Sequence, residues 1–194
     1  MKKAIMGIFS ILAATLIIAA VPTEADAEIY SDTLRLHILA ASDSEEDQAL
    51  KLRVRDAILT EYSAELSGTT GIAEARDAVK ARLSEIVATA QKEVNASGYD
   101  YTVTASLEEE WYDTRDYGDV SLPRGVYSSL IIRIGEGEGR NWWCVMYPPM
   151  CLDLATDAPT DDWASGYTGE ELSLITGKYR AKFKLLELIS DFIP

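Results

Sequence analysis

Leu34-Arg35-Leu36-His37-Ile38-Leu39-Ala40 is the stretch on which the fold turns. Leu34, Leu36 and Ile38 alternate with Arg35 and His37, the two-residue period of a strand whose faces differ in polarity. Ser42-Asp43-Ser44-Glu45 follows at once and offers an N-cap and a capping box. Glu46 and Asp47 add negative charge in the first turn, where the helix dipole favours it. Leu50, Val54, Ala57 and Ile58 then recur at helical spacing, so a strand leads directly into an amphipathic helix.

Outward from that unit the pattern changes at each turn signal. Gly68-Thr69-Thr70-Gly71 ends the first helix, and Ile72, Ala75, Val79, Leu83, Ile86, Val87, Ala90 and Val94 define a second that Gly98 stops. Tyr101, Val103, Ala105 and Leu107 alternate with Thr102, Thr104 and Ser106, a strand with one wet face that ends in solvent at Glu108-Glu109-Glu110. Tyr117-Gly118 and Leu122-Pro123-Arg124-Gly125 are turn chemistry. Residues 126–134 read as a strand, Gly135-Glu136-Gly137-Glu138-Gly139 as a turn and residues 142–147 as a returning strand, together a long hairpin. Residues 153–169 are irregular, and Phe183, Leu186, Ile189 and Phe192 predict a final helix started near Thr168-Gly169-Glu170-Glu171 and weakened by Gly177. With no repeat and no low-complexity linker, the predicted class is α+β: a single domain with a mixed or antiparallel sheet of about four strands and helices packed on one face.

If Leu34, Leu36 and Ile38 face the core, Arg35 and His37 point the other way. By the same parity Val126, Leu130, Ile132 and Ile134 are core while Tyr127 and Arg133 share the opposite face, joined by one of Trp142 and Trp143. An exposed Trp, Tyr, Arg and His set has the composition of a protein recognition surface, which makes Arg35, His37, Tyr127, Arg133, Trp142 and Trp143 the candidate partner-binding residues. The alternative is that a loop or the last helix covers that face.

Asn141-Trp142-Trp143-Cys144-Val145-Met146-Tyr147-Pro148-Pro149-Met150-Cys151 holds both cysteines of the chain. On a continuous strand Cys144 and Cys151 would lie roughly 23 Å apart, so a disulfide between them requires the chain to reverse, and Pro148-Pro149 sits where it can help. Two buried thiols are the alternative to a bridge. A zinc set of both thiolates with His37, the only histidine, and a Cys144–His37 nucleophile–base pair are sharper alternatives, but the apolar tryptophan-rich strand disfavours a reactive thiolate. The glycines at 135, 137 and 139 are not a phosphate loop, since two glutamates lie between them and a strand follows where a helix is needed. No catalytic residue, metal or cofactor is expected, nor a small-molecule substrate.

Lys2 and Lys3 precede an uncharged, mostly apolar run over residues 4–21, and Ala25-Asp26-Ala27 stands just before Glu28. This is the pattern of a secretory signal peptide over residues 1–27, cleaved between Ala27 and Glu28, with the domain in residues 28–194; an uncleaved anchor is the rival. Thirty-two acidic against 18 basic residues give a formal charge of −14, which repels nucleic acid phosphates and anionic lipid headgroups.

Leu34-Arg35-Leu36-His37-Ile38-Leu39-Ala40, Ser42-Asp43-Ser44, residues 47–56, Asn141-Trp142-Trp143-Cys144-Val145 and Pro148-Pro149-Met150-Cys151 together resemble the stage II sporulation protein R family. Ala41 stands where that pattern has asparagine, and Tyr147 where it has phenylalanine. The resemblance implies a non-enzymatic protein exported from the forespore into the space between the two membranes of an endospore-forming cell. Its implied partner is a membrane-embedded aspartic protease, activated to process the precursor of the early mother-cell sigma factor. From the residues alone, a secreted Cys–His hydrolase acting on the wall or on the partner is the other reading.

Overall fold

The structure, a computed structural model, describes residues 6–7, 10, 24–117, 120–150 and 161–178. In chain order these form helix α1 (Glu24–Ser31), strand β1 (Leu34–Leu39), helices α2 (Glu45–Ser67) and α3 (Ile72–Ala96), and strands β2 (Val103–Tyr112), β3 (Arg115–Tyr117), β4 (Val120–Leu122), β5 (Gly125–Ile134) and β6 (Asn141–Tyr147). A 3-10 helix (Asp161–Gly166) and a short helix α4 (Gly169–Ser173) that widens into a π-type turn (Leu174–Lys178) complete them. The class is α+β, with a mixed four-stranded sheet in the order β2-β5-β1-β6. The expected signal-peptide run over residues 4–21, Cys151 and the expected final helix around Phe183 lie wholly or mostly outside the described residues. Among the described residues no helix is long and apolar enough to cross a membrane.

The chain divides into two compact units. The larger, Tyr30–Trp111 with Val126–Thr168, contains the sheet, α2 and α3. Ser44 caps α2, its side chain accepting from the Asp47 backbone N–H at 3.2 Å, and Glu45, Glu46 and Asp47 fill the first turn as the sequence predicts. Gly71 brings no side chain to the start of α3, and Glu74 reaches back to the Thr70 N–H and hydroxyl instead, bonds that lower its carboxyl below the usual range. Leu50, Val54, Ile58, Val79, Ile86, Ala90 and Val94 from the two helices close over Leu34, Leu36, Ile38, Leu130, Ile132, Ile134, Cys144 and Met146 on one sheet face, forming the core. The smaller unit has its own buried cluster, with Val120 and Leu122 from the β3–β4 hairpin and Leu174 and Ile175 from the π-type turn. The three-residue strands of that hairpin are too short to show a period, so only the turn residues beside them are legible in the sequence.

The predicted hairpin of β5 and β6 does not form, because β1 lies between them, parallel to β5 and antiparallel to β6. The connection after Ile134 must therefore cross two inter-strand spacings, roughly 9.5 Å, over the end of β1. That crossing explains the spaced glycines. Gly135 and Gly137 hold φ of 61° and 69°, the left-handed region open to glycine, and Cβ atoms there would press on Ala41 and on the Leu39 side chain, each at 3.3 Å. A Cβ on Gly139 would overlap the carbonyl oxygen of Ser42.

The crossing is clasped to the start of α2. The Gly139 N–H donates to Ala40 O (2.9 Å), the Arg140 N–H to Asp43 Oδ1 (2.6 Å), and Lys51 Nζ to Arg140 O (2.8 Å). Ser42 Oγ donates to Asp47 Oδ2 at 2.6 Å, fixing the same loop from the helix side. Burial, with the Arg140 guanidinium nearby, pushes the Lys51 ammonium below its ordinary pKa, while Asp43 acts the other way.

Candidate functional site

β1 is buried along its length apart from the half-buried Leu39, which makes it a central strand. Its register sets Arg35 beside Ser129 and Val145, and His37 beside Ile131 and Trp143, so these six side chains share the face away from α2 and α3. Tyr127 and Arg133 fall on that face by the same alternation along β5. Trp143 is the tryptophan that joins them. Trp142 pairs with Ile38 on the helix face, where the Arg55 guanidinium lies 5.1 Å from its ring centroid.

Parity is as the sequence predicts, but exposure is not. Arg35 and Tyr127 are fully buried and His37 is 5% exposed, so the expected open face is covered at these three residues. Alternation assigns a side chain to a face; it carries no information on what packs there. The cover within this unit comes from segments without strong periodicity. Tyr30 meets the Tyr127 ring edge-on at 5.2 Å, and buried Tyr167 hydrogen-bonds Thr33 at 2.8 Å. Arg35 lies 4.8 Å from the Tyr127 centroid, a cation–π contact that desolvation strengthens to about 2 kcal/mol.

His37 Nδ1 stands 2.9 Å from both carboxylate oxygens of Glu110, and its ring stacks on Trp143 with centroids 5.4 Å apart. Glu110 is the residue that the sequence reading missed. β2 continues through the acidic run to Tyr112, which keeps Ser106, Glu108 and Glu110 on the far face. The alternation from Val103 to Leu107, carried three residues further, contains that information. Arg133 Nη1 donates to Ser106 Oγ at 3.2 Å on the same face.

Cys144 pairs with Leu36 and belongs to the helix-side core, 2% exposed. His37 is on the other face, so the structure assembles neither the Cys144–His37 pair nor a metal set containing both. Among the described residues there is no free cysteine. Pairing of Cys144 with Cys151 is expected to appear in unreduced protein as a loss of about two hydrogens confined to a peptide holding both. Reduction should lower stability by about 2.5 kcal/mol in the chain-entropy view. Two freely alkylated thiols would overturn the pairing.

The larger unit thus presents a sheet with a hydrophobic helix side and a packed cation–aromatic far side. The family model of stage II sporulation protein R matches residues 30–157, a span that takes in all six strands, α2 and α3. The chain belongs to that family and is a protein of spore formation. Stage II sporulation protein R of Bacillus subtilis (strain 168) is 37% identical over 124 residues, covering 64% of this chain. The match spans about half of that relative's length, 55%. No solved structure matches.

Proposed function

We propose that this protein is an intercellular signal of endospore formation. It is exported by its residue 1–27 leader into the space between forespore and mother cell, and there activates a membrane-embedded aspartic protease that processes the precursor of the early mother-cell sigma factor. The observation that carries this reading is membership of the family across residues 30–157. The leader-like N-terminus and the separation of Cys144 from His37 support it, the latter by removing the geometry of the hydrolase alternative. Of the six candidate contact residues, Arg133, Trp142 and Trp143 are partly exposed and can touch a partner directly. Arg35, His37 and Tyr127 act beneath the surface by fixing the strands that carry them.

The chain beginning at Glu28, immobilised, should retain the detergent-solubilised protease from membranes that contain it. Retention no greater than on a blank support would refute direct activation.

A further inference from the structure

We propose that the outer edge of β2 receives an extended, basic protein segment as an added strand, its lysines or arginines set against Glu108 and Glu110 and its apolar residues against Leu107 and Trp111. β2 is the outermost of the four strands and ten residues long, the form of edge that a guest strand can extend. Thr102 O accepts from the Gly135 N–H at 2.9 Å, so the start of β2 meets the end of β5 and the two strands run antiparallel. Counting in twos from Thr102, the backbone N–H and C=O of Leu107, Glu109 and Trp111 point away from β5, towards an incoming strand.

The side chains say which strand fits. Glu108 and Glu109 point to opposite faces and both are exposed, so side chains of a guest strand can reach both faces at this point. Trp111 is 60% exposed and Val126, on the neighbouring strand at the same end, 47%. Each lies nine residues from the Thr102–Gly135 bond, which brings them together on one face. Glu109 is engaged by Arg76 at 3.3 Å and Glu110 by His37 at 2.9 Å, whereas no ion pair to Glu108 is found among the described residues. A guest alternating basic and apolar residues would meet Glu108 and Glu110 on one face, and on the other Leu107 and Trp111 with the Arg76-paired Glu109 between them. The same glutamates repel acidic strands, including a second copy of this chain with its charge of −14.

This deepens the activator reading and rests on it only for the partner being a protein. A soluble peptide alternating lysine with valine, blocked at both ends, is titrated into the full chain, with intrinsic tryptophan fluorescence and calorimetry as readouts. A peptide of equal charge with proline at the apolar positions is the control, since it keeps the electrostatics and loses the ladder donors. Saturable binding should appear for the first peptide and weaken at least tenfold for the second. Glu109→Pro, which removes an outward N–H and no bond to β5, should weaken it at least tenfold. Trp111→Ser and the E108K/E109K pair should do so even if the proline variant fails to fold. Equal binding of the two peptides, or unchanged binding by Trp111→Ser and E108K/E109K, would overturn the proposal, as would no binding at all. Failure here with retention of the protease would reject the edge and leave the activator reading standing, and the reverse result would separate them the other way.

Discussion

Gly139→Ala is expected to destabilise the protein by about 3 kcal/mol, a value reserved for clashes that the backbone cannot relieve. The added methyl would overlap the Ser42 carbonyl group. The loop cannot swing away cheaply, because Gly139, Arg140 and Lys51 are tied to Ala40, Asp43 and the Arg140 carbonyl by bonds of 2.6–2.9 Å. For a chain of this size the melting temperature should fall by roughly 6–12 °C. Alanine at Gly169, where a Cβ meets nothing within 4 Å in the first turn of α4, is the control and should change stability little. A Gly139→Ala protein within 1 kcal/mol of wild type would mean that the loop does not cross β1 as described.

Arg35→Ala is the second large effect, about 3 kcal/mol, from a fully buried side chain whose removal leaves a cavity and strips Tyr127 of its cation. Arg35→Met keeps most of the volume and should cost less, the difference reporting the share due to charge. Denaturant titration of both variants checks this. If Arg35→Ala melted like wild type, the guanidinium would have to be in solvent, as alternation alone suggests.

The capped start of α2 at Ser44, the helical stripe of α3 and the parity of Arg35, His37, Tyr127 and Trp143 are local consequences of period and capping chemistry, and they were legible. Strand neighbours were not. Two strands joined by six residues pair as a hairpin unless a third strand occupies the space, and nothing local to residues 126–147 announces β1. The glycines at 135, 137 and 139 were the available signal, since alternate loss of side chains is what a loop needs to pass over a strand end. Burial of the far face was illegible for a similar reason: Tyr30 and Tyr167 come from segments with no period of their own. Glu110 lies on a legible alternation, but three successive glutamates suggest solvent before they suggest a partner for His37.

The proposed signal from this chain to a membrane-embedded protease can be read in cells. The direct measurement is immunoblotting of the sigma factor precursor in cells that make the precursor and the aspartic protease together with this chain, either with residues 1–27 or starting at residue 28 behind a methionine. Processing should appear with the exported form and be absent with the leaderless form and with no chain at all. Equal processing in all three, or none in any while the protease is present and folded, would refute activation of the protease by this chain.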